Sequence, residues 1–479
     1  MMGRISAFPV KSQEIVITLT GIFFLVIGML KLAWPEFVIY LTTILSIYLL
    51  YRSFLTVPPH DLIDKVLSPF GMFISSLALV IYTRLIFHIF YFRDGYGFLE
   101  GLISHDKFIV GSMLTLMSLL VAFIFFWIGS MAGWKLIIFN NYKYVSVAIK
   151  DRNMILWILF LIIIGVMGWV KYVYDAGEEV RLIILQPTLR DIFGAGHGYL
   201  KLVIQMLPAA LILLYWRYLC IKKHRPFVIA AFTIFVLFTM LIFGQRSNLV
   251  FPLVSMMALR HFLYKRFHLK KLLLYIFLLC LLMAVFVTYR SITTKISSIS
   301  SGTTIAENVI VGIGNSNPEI FNKLTKAFLP LDSYMLTLLD PPEIMFGETY
   351  LYVFLQAIPS FTWDDKKGAY ISVGKMVTNS LQQDINAGVP NTVIGELYVN
   401  YRWPGIIFGM FILGVIFGKA QRWFVNNKFD NFAILAVAIL APDIFMLAWG
   451  SATIWFKLFI KDGIVLLVTR LFIKRVRAE

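Results

Sequence analysis

The chain has 479 residues, 59% of them apolar and only 14% charged, with a mean hydropathy of +0.81 and a formal net charge of +17. Ordinary soluble domains are about 45–50% apolar, so a cytosolic enzyme, a secreted module and a nucleic-acid binder are excluded. What remains is an all-α polytopic integral membrane protein.

In chain order, apolar runs long enough to cross a hydrocarbon core about 30 Å thick predict about twelve transmembrane helices. They lie near 15–34, 36–55, 68–89, 108–130, 154–173, 201–219, 227–243, 249–264, 272–289, 403–420, 431–449 and 454–473. The first run has no small-residue cleavage site after it and reads as a span, not a signal peptide. Cys220 and Cys280 both fall inside apolar runs and make neither a metal cluster nor a disulfide framework.

Charge tests the alternation. With the N-terminus in the cytoplasm, the inner segments hold 24 of the 43 basic residues but only 6 of the 26 acids. This is the positive-inside asymmetry, and it predicts both termini inside. The net charge is therefore mostly topology, not a ligand signal.

The chain divides into an N-terminal bundle of about nine helices (1–289), a large extracytoplasmic loop (290–391) and about three C-terminal helices (392–479). The loop opens with a stretch, 291–304, in which nine of fourteen residues are Ser or Thr. Residues 349–363, TYLYVFLQAIPSFTW, are too few to span and end at a proline, which predicts a re-entrant or interfacial helix. No internal repeat is visible, and only Ile221–Pro226 separates the sixth and seventh spans. Both features weigh against a major-facilitator transporter.

Several residues can carry chemistry. Arg246 stands in GQRSN (244–248), a predicted outer turn, either as a headgroup anchor or as a guanidinium aimed at phosphate, with Gln245 and Asn248 as further hydrogen-bonding groups. Arg290 closes the ninth span, as an interfacial anchor or as the second cation of a pyrophosphate site. In GELYVNYRWPG (395–405), helical spacing puts Glu396 and Asn400 on one face, while Arg402 points elsewhere unless the turn before Pro404 is irregular. Glu396 is either half of a structural ion pair or a general base or sugar-binding acid at a cavity edge. Lys366 reads as part of a solvated turn or as a phosphate contact, and His197, in GAGHGYL, as a loop residue or a reserve base. Asp443, Lys457, Lys461 and Asp462 fall in the last two spans, where interhelical pairing explains them as well as function does. The glycine pairs of GIIFG (405–409) and GVIFG (414–418) are read as close helix packing. No clustered ligand spacing calls for a metal, and no Walker loop calls for a nucleotide.

FGETYLYVFLQAIPSFTWDDKK (346–367) followed by GELYVNYRWPGIIFGMFILG (395–414) resembles the bacterial O-antigen or oligosaccharide repeat-unit polymerases of the Wzy type. The matching features are an FG-x-[ST]-Y element, an IP turn, and a GELY-x-N-[FY] stretch leading into a glycine-rich helix. The GQRSN turn is similar to the family's Arg-bearing turn. At two positions the chain departs from the pattern: Ser360 follows the IP pair, and Arg402 stands where many relatives have Gly.

The resemblance implies an enzyme that joins undecaprenyl-pyrophosphate-linked oligosaccharides into a surface polysaccharide at the outer membrane face. No cofactor is implied, because the carrier pyrophosphate is the activated leaving group. Arg246 and Arg290 would stabilise it, Glu396 would deprotonate the acceptor hydroxyl, and Gln245, Asn248, Lys366, Asn400, Arg402 and His197 would bind substrate. Its partners would be the lipid-linked glycan and the bilayer, with a chain-length regulator and a flippase as candidates. The rival readings are an O-antigen ligase, a flippase or transporter of lipid-linked sugars, and a non-catalytic assembly scaffold.

Overall fold

The computed structural model describes residues 62–91, 104–136, 145–149, 151–177, 198–221, 226–242, 246–268, 330–351, 391–427, 430–450 and 452–477, with isolated positions between 270 and 278. The spans expected near 15–34 and 36–55, and most of 272–289, lie outside the described residues. Described helices are α1 (Leu62–Val66), α2 (Pro69–Tyr91), α3 (His105–Lys135), α4 (Asp151–Ala176), α5 (Gly198–Ile204) and α6 (Met206–Ile221). They continue with α7 (Pro226–Ile242), α8 (Arg246–Leu263), α9 (Pro330–Leu339), α10 (Val393–Asn426), α11 (Asn431–Trp449) and α12 (Ala452–Leu471). Five segments among the described residues are helical, long and apolar enough to cross a membrane: 106–135, 152–176, 200–221, 393–426 and 431–449. The protein is an all-α polytopic membrane protein. One short antiparallel ladder is added to it, in which β1 (Val145–Ile149) pairs with β2 (Ile473–Arg477).

The bundle is built around α3 and α10, which share the most extensive contact between any two described elements. Glycine explains it. A Cβ on Gly129 or Gly133 would collide with the carbonyl oxygens of Phe411 and Val415, and one on Gly414 or Gly418 with those of Phe126 and Ser130. The two backbones therefore touch directly, as small residues four apart permit in a membrane. Of the two glycine pairs in α10, GVIFG packs against α3, whereas GIIFG packs against the start of α10 itself. Beside the seam, the Phe73 and Phe417 rings stack at 4.5 Å between centroids, and Phe126 tilts against Phe73 at 5.1 Å. On the outside of α4, Leu156, Leu159, Phe160, Ile163, Met167 and Val170 recur at helical spacing and are exposed, which is the face of a span that meets lipid.

One end of the bundle is tied by polar contacts between distant segments. Phe267 N–H donates to His261 Nδ1 (3.0 Å), which places the ring proton on Nε2, where it donates to Asp64 Oδ1 (2.7 Å). Gln421 Oε1 accepts from Phe70 N–H (3.2 Å) and so caps the start of α2 from across the bundle. Trp216 Nε1 donates to the Asn431 carbonyl (3.0 Å), Trp157 Nε1 to Thr469 Oγ1 (3.1 Å), and Arg422 to the Trp134 carbonyl. Each contact, like the β1–β2 ladder, joins ends that the alternating topology puts on the same side.

At the opposite end lies α9, PLDSYMLTLL, part of the long loop. Every residue from Pro330 to Leu338 is buried, with Met335 and Leu339 against Gly111 of α3. A loop helix thus enters the bundle at 330–339, ahead of the stretch where the apolar run suggested one. Residues 352–363 of that run lie outside the described residues.

The seam makes a clean prediction. Gly414→Ala should lower the unfolding midpoint of the purified full-length protein by several degrees, because overpacking costs about 1–3 kcal/mol and a carbonyl cannot rotate away. Gly463→Ala on α12, where a Cβ meets nothing within 4 Å, should instead raise it slightly, since helical Gly is about 0.5–1 kcal/mol worse than Ala. Equal shifts for the two would contradict the backbone contact.

Candidate functional site

The span expected at 403–420 begins ten residues earlier, with a break inside it. Thr392 caps α10, its hydroxyl accepting from Gly395 N–H (3.1 Å), and Glu396 follows in the first turn, where the helix dipole favours a carboxylate. Tyr401 (φ −142°, ψ 16°) and Arg402 (φ 55°, ψ −142°) then leave the helical region. Below the break, the Leu397 carbonyl lies against Gly405 and its side chain against Gly409. In a straight helix positions 397 and 409 would be about 18 Å apart. The first two turns of α10 are therefore folded back on the span that follows.

Pro404 explains where the break falls. It has no N–H for the Asn400 carbonyl, and two carbonyls are left for other donors. Segment 345–347 supplies them: Met345 N–H donates to the Val399 carbonyl (3.3 Å) and Phe346 N–H to the Asn400 carbonyl (3.1 Å). The Asn400 side chain completes the joint. Its Oδ1 accepts from Gly347 N–H (3.0 Å), while Nδ2 donates to Thr349 Oγ1 (2.7 Å) and to the Glu396 carbonyl (2.8 Å). Gly347 has φ 89° and lies so close to the Tyr401 hydroxyl that a Cβ has no room. FGETY and GELYVNY, some fifty residues apart in sequence, thus form one unit.

Glu396 is 1% exposed and Asn400 0%. Tyr350, from FGETY, is close enough to feel the Glu396 charge. Burial first, and that charge second, push its phenol well above the usual range, so it is a neutral donor and not a base. Tyr334 of α9 is held neutral by burial in the same way, with Ser118 of α3 beside it and Tyr398 of α10 nearby. Asn391 Nδ2 donates to Thr337 Oγ1 (3.3 Å), which ties α9 to the start of α10. Asp332, fully buried on α9, brings a second carboxylate into this end of the bundle.

Arg402 stands at the break in a backbone region that glycine favours, a conformation costing about 1–3 kcal/mol for other residues. Its Nη2 donates to the Pro342 carbonyl, and its guanidinium lies 5.3 Å from the centroid of the Tyr398 ring. Its Nη1 is enclosed and makes no hydrogen bond.

Of the residues singled out in the sequence, Glu396, Asn400 and Arg402 come together here, and the turn before Pro404 is indeed irregular. Arg246 and Asn248 lie in the first turn of α8, whose backbone alone is described there. Gln245, Arg290, Lys366 and His197 lie outside the described residues. In the last two helices Lys461 pairs with its neighbour Asp462 at 3.2 Å, and Asp443 lies close enough to both to feel their charges. Sequence reasoning missed Asp332, Tyr334, Thr349 and Tyr350. The FG-x-[ST]-Y pattern held the signal for the last two; α9 gave only an apolar run half the length of a span.

Asn400→Ala should release segment 345–351. Two of its side-chain hydrogen bonds reach that segment, and at about 0.5–1.5 kcal/mol each they amount to roughly 1–3 kcal/mol. The amides of Phe346 and Gly347 should then exchange with deuterium at least tenfold faster, with 403–426 unaffected. Unchanged exchange at 346 and 347 would mean that the joint does not depend on Asn400.

Among known proteins, neither a curated sequence nor a solved structure matches this chain. The family model described as O-antigen polysaccharide polymerase Wzy matches residues 14–478, nearly the whole length. That span takes in the joint between FGETY and GELYVNY, the Arg-bearing start of α8 and the glycine seam, and the chain belongs to the O-antigen polysaccharide polymerase Wzy family.

Proposed function

We propose that the protein polymerises undecaprenyl-pyrophosphate-linked oligosaccharide repeat units at the outer face of the cytoplasmic membrane. The observation that carries this reading is the docking of FGETY on GELYVNY through Asn400, which encloses Glu396 beside Tyr350. The reaction needs a base for a sugar hydroxyl, and cations for a leaving pyrophosphate. In this reading Glu396 takes the hydroxyl proton of the incoming repeat unit. That oxygen attacks the anomeric carbon of the growing chain, the bond to the carrier breaks, and the electron pair leaves on the pyrophosphate. Arg246 and Arg290 stabilise that charge, and Gln245, Asn248, Lys366, Arg402 and His197 orient the substrates, whereas Asn400, expected to bind substrate, is 0% exposed and has its amide oxygen and both amide hydrogens engaged within the protein. Asn400 holds the base in place by gripping the turn that bears it.

Two further observations support the placement. The polar contacts at the far end of the bundle pair segments that the positive-inside bias assigns to the cytoplasm, with the β1–β2 ladder among them. Glu396 and α9 lie at the opposite end. The long loop, which a flippase does not need, contributes a buried helix to that end.

The test is complementation of a deletion strain, with envelope glycan resolved on a gel. Single-repeat glycan without a ladder is expected in the deletion, and restoration by the wild-type chain. Glu396→Gln, expressed at the same level, should reduce polymer about 10²- to 10⁴-fold, the usual contribution of a general base. A full ladder that stays on its carrier would identify a ligase, and repeat units stranded in the inner leaflet a flippase.

A further inference from the structure

Three ionisable side chains meet inside the helical bundle at a place the proposed reaction does not use. Asp443 lies on α11, six residues before its last one, Trp449, and Asp462 on α12, ten after its first, Ala452. At 1.5 Å per residue these are about 9 Å and about 15 Å from the ends that 450–451 joins, well inside the two helices. Asp443 is 1% exposed and Asp462 4%. Lys461 Nζ holds Asp462 Oδ1 at 3.2 Å. Asp443 has no such bond: neither of its oxygens meets an N–H or O–H donor among the described residues. What faces it is another acceptor, the Asp462 carboxylate, within hydrogen-bonding reach once a proton lies between the two. One ammonium cannot neutralise two carboxylates, and an uncompensated charge at that depth is very costly. Two carboxylates beside a lysine also fall short of a metal site, since no third His, Cys, Asp or Glu joins them among the described residues.

We infer that Asp443 and Asp462 form a proton-binding site in the membrane interior, one proton being held between their carboxylates beside Lys461. The charges then close, since two carboxylates, one ammonium and one proton sum to zero. Of the described charged side chains on the elements packed against these two helices, only Lys461 acts on the pair. Arg260 and His261 end α8, Arg217 falls late in α6, and Arg470 closes α12. On α10, Glu396 and Arg402 lie at or before the break, with Lys419 and Arg422 near the other end. Arg84, His88, Arg246, Lys457, Lys474, Arg475 and Arg477 stand where backbone alone is described. Each carboxylate also adjoins a weak point in its helix. Pro442 gives no N–H to the Ala438 carbonyl, and Gly463 has open space where a side chain would be. When the proton leaves, a net negative charge stays buried between α11 and α12, and their contact loosens at these points. The inference does not depend on the polymerase reading.

The experiment compares the purified full-length protein with Asp443→Asn and Asp462→Asn, either of which leaves one carboxylate for one ammonium. Infrared difference spectra at neutral pH should show a protonated-carboxyl C=O band in wild type, shifted in D2O and absent from both variants. Wild type then binds one proton more when folded than when unfolded, so its stability falls as pH rises. Above the ordinary carboxylate range its unfolding equilibrium constant, relative to that of Asp443→Asn, should grow tenfold per pH unit until the site releases the proton. Beyond that pH, amides around 443 and 462 should exchange with deuterium at least tenfold faster in wild type than in either variant. Should Asp443→Asn fail to fold, Asp462→Asn supplies the same comparison. Spectra that match in wild type and variant, or the same pH dependence of unfolding in both, overturn the inference. Stabilisation of wild type by sodium over choline overturns it as well, because the occupant would then be a metal cation.

Discussion

A carbonyl oxygen that its own helix cannot satisfy organises the end of this protein where the candidate site lies. Pro404 deprives the Asn400 carbonyl of its normal donor, and Phe346 N–H fills the gap. In water such a carbonyl would find solvent. Inside an apolar bundle an unfilled carbonyl costs several kcal/mol, so the break and the segment that repairs it require each other. From this follow the fold-back of the first turns of α10, the register of 345–351 on them, and the enclosure of Glu396. Asn400 makes the repair specific, since its amide offers one acceptor and two donors and all three are used.

The two ends of the bundle solve different problems. Between them the glycine seam brings α3 and α10 into contact without side chains, which lets the two backbones touch. At the end joined by His261–Asp64, Trp216–Asn431 and the β1–β2 ladder, hydrogen bonds cross between segments distant in sequence and tie the spans together. At the other end Asp332, Tyr334, Thr337, Asn391, Glu396 and Asn400 are all buried, as His261 and Gln421 are at the first. Burying that much polarity is expensive, and a bundle fastened at its far end can tolerate it.

The spans were legible in the sequence because lipid sets a minimum apolar length, and 431–449 is reproduced to the residue. Ends shifted where a polar residue begins a helix, as Glu396 does on α10, since hydropathy registers the lipid and not the helix. The break at 401–402 was hidden for a different reason. A turn with positive φ normally announces itself with glycine or asparagine, and here it falls on arginine. Only Pro404, with helical spacing that failed to bring Arg402 onto the Glu396 face, hinted at it. Helix α9 was hidden because a run of ten residues, nine of them buried, looks the same in sequence whether it crosses a loop or enters a bundle. The two halves of the site were each visible as motifs, but their contact depends on backbone donors, which carry no residue identity.

The glycine seam also bears on how the protein is made. Gly414 follows Gly129 by 285 residues. Spans leave the insertion machinery in chain order, so α3 is in the bilayer long before its partner has been synthesised. Until α10 arrives, Gly129 and Gly133 present bare backbone to lipid, a surface that any other helix with small residues can occupy. The contact that organises the finished bundle is thus among the last to form, and the period before it closes is when the chain is most open to a wrong neighbour.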